Sequence, residues 1–195
     1  MIRLLPASGP ERTAYLGAVS ASIGVSLPAE YLERGEVTGL FSGERLVGGF
    51  TLVRRGPFRS LEQLPLAVRA RLERRMDLLP GVVEGNGLFL DPSVREPRTI
   101  AEFWGALDLA LERSEASHMV FSYPASSARL RHFYRPLGAQ SLYVGWVTPL
   151  EGMSGPEVEC VGLAGIAQVR SVIRDPSWLS RRVQNRVVDG HEAAA

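Results

Sequence analysis

Residues 83–100, VEGNGLFLDPSVREPRTI, gather the side chains best placed for chemistry: Glu84 on an apolar run, then Arg95 and Arg98 around Pro97, then Thr99. Val83 to Leu90 reads as a strand that Asp91-Pro92 stops. Thr99 with Glu102 three residues on reads as a capping box opening a helix. A strand, a short arginine-bearing loop and a capped helix bring unpaired amide N–H groups and the positive end of a helix dipole to one spot, which suits phosphate or another anion. Glu84, half-buried on its strand, would have a raised pKa and could take a proton near neutral pH, directly or through water; an exposed strand glutamate is the structural alternative.

Other reactive types narrow the chemistry. All 22 basic residues are arginine, so neither Schiff-base nor P-loop lysine chemistry is available. Cys160, the one cysteine, has no basic neighbour in sequence and is expected to be a buried structural thiol. His118, His132 and His191 lack metal-ligand spacing, so no metal site is expected; His132 reads as a surface residue. Arg69, Arg71, Arg74 and Arg75 make either a solvated helix face or a landing patch for an acidic or phosphate-bearing partner.

The elements that must hold these groups fit one large domain. The chain has 195 residues, 45% hydrophobic and 22% charged, with net charge +1, which gives no global argument for nucleic acid or membrane binding. No basic start with an apolar run opens it, and no stretch nears the roughly 20 apolar residues of a membrane span. The cytoplasm is the default expectation. Ile2 to Leu5 reads as a first strand, Pro10 to Gly24 as a helix, and Pro28 to Gly35 as a shorter one. Glu36–Phe41 and Arg45–Val53 form a hairpin around Ser42-Gly43-Glu44. A helix from Pro65 to Leu79 should bury Leu66, Val68, Leu72, Met76 and Leu79. Residues 100–113 are amphipathic, with Ile100, Phe103, Trp104, Leu107 and Leu111 on one side. The strand His118–Tyr123 follows, and such a strand–helix–strand unit implies parallel pairing with a right-handed crossover. A helix capped by Ser126 or Ser127 ends at Gly138, residues 140–148 form a strand, and 157–163 are set to pair with it. Residues 164–174 and 177–188 read as helices, and the final HEAAA as disordered.

This order resembles the GNAT superfamily of N-acyltransferases. GLFLDPSVREPRTI is similar to that family's strand and donor-binding loop. SARLRHFYRPLGAQSLY is similar to its later helix–Tyr–x–x–Leu–Gly motif, with Tyr134, Leu137 and Gly138 in the matching places. GLFSGERLVGGFTLV resembles its second and third strands. The resemblance implies an α/β fold: a mixed, strongly twisted central sheet with helices on both faces, over residues 1–150. Residues 151–195 would be a strand-and-helix extension that covers the acceptor side or pairs two subunits. It also implies that a pantetheine arm slots between the strands at 83–90 and 118–123, with amides near Leu88, Phe89 and Leu90 facing the thioester carbonyl. Tyr134 would be the general acid. Ser127 would touch the arm where the family often has Asn, unless it is only an N-cap.

One departure alters the donor site. The family's pyrophosphate loop, R-x-x-G-x-G/A, corresponds here to Arg95-Glu96-Pro97-Arg98-Thr99-Ile100, without either glycine. Three outcomes stay open. Arg95 and Arg98, with Thr99, grip the diphosphate of acetyl-CoA or another acyl-CoA by guanidinium pairing. Alternatively, the donor is an acyl-phosphopantetheine on an acyl carrier protein. Or the fold serves another purpose, as a binding or scaffold protein or an aminoacyl-tRNA-dependent transferase. The acceptor implied is a small amine such as an amino acid or biosynthetic intermediate.

Overall fold

The computed structural model describes residues 1–151, 153 and 155–181. Seven strands form one sheet: β1 (Ile2–Leu4), β2 (Gly35–Ser42), β3 (Arg45–Val53), β4 (Val82–Leu90), β5 (His118–Pro124), β6 (Gln140–Trp146) and β7 (Val158–Gly165). Their spatial order is β1-β2-β3-β4-β5-β7-β6. β4 and β5 run parallel, and each other neighbouring pair is antiparallel. The last of these seven strands in sequence thus enters between β5 and β6.

Alternating side chains feed a core on each face of the sheet. On one face lie Leu52, Val83, Met119 and Phe121 with α5 (Pro97–Arg113) and α7 (Ile166–Ile173). Ile100, Phe103, Trp104, Leu107 and Leu111 of α5 are all buried there. On the other, Val37, Val53 and Phe89 meet α1 (Pro10–Ile23) and α2 (Ala29–Leu32), while Val120, Val161 and Leu163 meet α3 (Arg59–Glu62) and α4 (Leu66–Asp77). α6 (Ala128–Tyr134) continues into a 3-10 turn over Arg135–Leu137, which Gly138 ends at φ 70°. On the first face α7 is tied to α5 by Arg170 and Arg174, which hold Asp108 at 3.0 and 2.9 Å.

Several sequence expectations change. α5 opens at Pro97 with Glu96 as the N-cap residue, so no capping box starts at Thr99: proline at the first helical position already has the helical φ. Thr99 instead donates its hydroxyl to the Glu96 carboxylate at 2.7 Å. Leu66 is 80% exposed, because it sits in the first turn of α4, beyond the reach of the sheet. The short α3 carries no apolar period long enough to be legible. A helix resumes at Pro176 and continues through Arg181; the remainder of the expected 177–188 helix and the tail lie outside the described residues.

Candidate active site

The central feature is a wedge. β4 and β5 pair over three residues each, Val82–Glu84 with His118–Val120. Beyond that, β4 continues to Leu90 on β3 alone, and β5 continues to Pro124 on β7 alone. A bulge drives the separation. Thr51 pairs with Asn86 and Gly49 with Phe89, so Gly87 and Leu88 together oppose Phe50, and the extra residue bends β4 away. Gly87 takes φ 59°. The buried Tyr15 hydroxyl braces the bulge, lying 2.7 Å from Thr51 Oγ1 and donating to the Gly87 carbonyl at 3.2 Å. The β5-facing edge of 85–90 therefore has no strand partner, and an extended arm could pair with it as an added strand. A Cβ at Gly87 would collide with the Tyr15 hydroxyl. Gly87→Ala is expected to cost about 2 kcal/mol or more, from left-handed strain and the lost brace; chemical denaturation against the parent protein checks this.

Tyr134 stands beside the open wedge. Its ring stacks on Phe121 of β5 (centroids 4.0 Å, 9° apart) and on Tyr123 (5.0 Å), with Phe133 edge-on. Its hydroxyl has no hydrogen-bond partner among the described residues. Burial, with lesser contributions from Tyr123 and Glu159, pushes its pKa up, so the phenol stays protonated.

Tyr134 and Phe121 form a wall common to two cavities. One is a narrow apolar crevice running under α5, α6 and α7 to the edge of β4, lined by Phe50, Leu88, Leu107, Met119, Ile173 and Trp178 among others. It holds about 470 Å³ of free space, of which about 30 Å³ admits the centre of a water molecule, so a chain entering it must displace side chains. The other has about 490 Å³ of free space, of which about 190 Å³ admits the centre of a water molecule; it is the less apolar of the two, with Tyr123, Arg131, Arg135, Gln140, Ser141 and Cys160 in its lining.

Glu84 lies on the opposite face from Tyr134 and is completely buried. Its Oε2 accepts from the Tyr31 hydroxyl (2.6 Å) and the Arg59 amide (2.9 Å), and its Oε1 from the Ser60 amide (2.6 Å). Burial raises its pKa, while the bonds from Ser60, Tyr31 and Arg59 oppose that. Both oxygens are engaged, two of the three donors being amides at the start of α3.

In the loop, Arg98 is a solvent-facing side chain, 83% exposed, that pairs with Glu102 at 3.2 Å. Arg95 is half-buried and has no ion pair among the described residues. The amides of Arg95, Glu96, Arg98 and Thr99 likewise have no backbone acceptor there, so this helix start retains its donors without the glycines. Ser127 caps α6, accepting from the Leu130 amide at 3.2 Å. Leu88 lines the crevice, Phe89 packs toward Tyr15, and Leu90 joins the α5 core. His132 is exposed and Cys160 buried. Among the described residues no cluster of His, Cys, Asp or Glu could hold a metal, and no helix is long and apolar enough to cross a membrane.

Sequence reasoning passed over Glu159, the buried acid of β7. Its one legible signal is a carboxylate inside an otherwise apolar strand, VECVGLAG.

No family model matches the sequence, and no curated protein matches it. Solved structures do. FeeM, an N-acyl amino acid synthase from uncultured soil microbes, superposes with TM-score 0.62 over 88% of this chain and 92% of its own, at 18% identity. A GNAT family acetyltransferase from Elizabethkingia anophelis, solved with acetyl-CoA bound, gives 0.53 over 85% and 97%, at 11% identity. The ribosomal-protein-S18-alanine N-acetyltransferase from Escherichia coli gives 0.52 over 85% and 94%, at 13%. With the sheet order, the parallel wedge and these likenesses together, the chain has the GNAT fold.

Proposed function

We propose that this protein transfers an acyl group from a phosphopantetheine thioester to a small primary amine. The observation that carries the reading is the β4/β5 wedge with Tyr134 beside it: an unpaired backbone edge for the arm and a neutral phenol for the sulfur. Amides on the bulged strand at Leu88–Leu90 would receive the thioester oxygen, and preorganised donors of that kind stabilise the tetrahedral oxyanion. Because burial disfavours the phenolate, Tyr134 acts as a hydrogen-bond donor to sulfur as charge collects there. Glu84 is assigned to anchoring α3, since its oxygens already hold three donors. The apolar lining of the crevice beside Tyr134, rather than its present volume, supports an acyl group longer than acetyl that enters as the side chains part, and FeeM, an N-acyl amino acid synthase, is a precedent on this fold. An amino acid is the acceptor class we favour.

The direct test is turnover with acetyl-, octanoyl- and myristoyl-CoA, and with the same groups on acyl carrier protein, against the twenty amino acids, following thiol release and product mass. Thiol release rising with chain length is expected; no release from any donor would end the proposal. The loop supplies a second measurement. Arg95→Ala/Arg98→Ala should raise KM for acyl-CoA about tenfold, roughly 1.4 kcal/mol of lost pairing to the diphosphate. KM for the matching acyl-pantetheine, which has no diphosphate, should stay unchanged. Equal effects on both donors would remove the arginines from diphosphate binding.

A further inference from the structure

Glu159 pairs with Pro124, the last residue of β5, on the strand that borders the open side of the wedge. By register it shares a face with Ser122, Val161 and Glu84, opposite the Tyr134 stack. It is only 5% exposed, and its Oε2 has no hydrogen-bond partner. A buried carboxylate oxygen with no donor is costly, and it is the kind of vacancy an arriving N–H group fills. A second buried polar group on this side is also unmatched. Gln63, whose carbonyl accepts from the Thr148 amide, keeps Nε2 without a partner. Thr148 follows Val147, which bonds to the Glu157 carbonyl. An unmatched acceptor and an unmatched donor thus occur on the side of the sheet away from the apolar crevice.

Resting on the acyltransferase reading, we infer that Glu159 is the group that receives the acceptor's ammonium and takes its proton before attack. In that step an N–H proton passes to the Glu159 carboxylate, and the freed nitrogen lone pair attacks the thioester carbonyl carbon. The C–N bond forms and the C–S bond breaks, its electron pair leaving on the sulfur under the Tyr134 hydroxyl. The second proton lost by nitrogen departs with the sulfur as the thiol. No oxidant or further reactant is needed. Acid and base therefore flank the end of β5 from opposite faces of the sheet, and are close enough that Glu159 helps raise the Tyr134 pKa.

The groups facing Glu159 set its titration. Glu157 is the near carboxylate on its own segment and Ser122 comes from β5; Tyr134, across the sheet on α6, feels the Glu159 charge. Tyr143 of β6 lies across Gly145, the register partner of Glu159. The side chains that α3, α4 and the turn between them pack on this face, Leu61, Leu64, Leu72 and Met76, are apolar. Burial and then Glu157 push the Glu159 carboxyl up to about 8, with Ser122 opposing. Below that pH it is an uncharged acid; above it, it is the base.

The wild-type kcat/KM should therefore rise with pH and level off above about 8. With methoxyamine, which is already neutral across that range and has no ammonium proton to give up, the limb should be absent or much reduced. Glu159→Gln should lower kcat/KM at least 100-fold, leave the donor KM unchanged and remove this limb, whereas Glu159→Asp should keep the limb at a reduced rate. A Gln variant with the parent rate and profile would overturn the inference while leaving the acyltransferase reading intact. A readout independent of turnover runs beside it. A carboxyl whose pKa is raised on folding adds stability that is complete below its unfolded pKa and is lost as pH rises through the folded one. Wild-type Tm should fall between pH 5 and 9 more steeply than that of Glu159→Gln. Superimposable curves would overturn the inference even if no acceptor were turned over.

Discussion

Tyr134→Phe should work at about 1% of the parent kcat, with donor KM within twofold, because one positioned proton or hydrogen-bond donor is worth roughly 100-fold. The substitution isolates the hydroxyl. The ring would still stack on Phe121 and Tyr123 and meet Phe133 edge-on, so neither the wall of the crevice nor the course of α6 should shift. The defect should also depend on the leaving group. A thioester of an acidic thiol such as thiophenol needs little help at sulfur, and with it the variant should recover most of its rate. A defect of the same size for both thiols would mean that Tyr134 acts elsewhere, and an undiminished rate would make it a packing residue. Stopped-flow thiol release decides among these.

Glu84→Ala should unfold the protein more readily by about 3 kcal/mol or more, since it strands the Tyr31 hydroxyl and the Arg59 and Ser60 amides in a site closed to water. Glu84→Gln is the informative partner. Its amide oxygen can still accept from the start of α3, but its NH2 faces a donor, so an intermediate loss is expected, near 1–2 kcal/mol. If Glu84 only anchors, the Gln variant that remains folded should retain most of the parent kcat/KM. A 100-fold fall in a folded Gln variant would give the base role to Glu84 and take it from Glu159. Urea melts and initial rates on the same samples separate the two effects.

Much of this architecture was legible from periodicity. The α5 stripe of Ile100, Phe103, Trp104, Leu107 and Leu111, the hairpin at 35–53 and the parallel β4/β5 pair all follow from local pattern, because burial of one face writes itself into spacing. α3 was invisible because four residues hold no period. The insertion of β7 between β5 and β6 was invisible because pairing across a sheet leaves no local mark. The site divides the same way. Tyr134 could be singled out from a motif around Gly138. The environment of Glu84 could not, since its three donors come from positions 31, 59 and 60, far away in sequence. Glu159 escaped for a related reason: one acid in VECVGLAG says nothing of which face it occupies until the register with Pro124 is known.

The late arrival of β7 constrains biosynthesis. As the chain leaves the ribosome, β1 to β5 can assemble early, but β5 then presents a bare, largely apolar margin until residues 158–165 emerge to fill it. Such a margin invites pairing with other chains. β6 waits as well, since its neighbour in the sheet is β7. The sheet is therefore closed from its C-terminal side, and a nascent chain stalled near residue 150 should draw chaperones or aggregate, however complete its donor half already is.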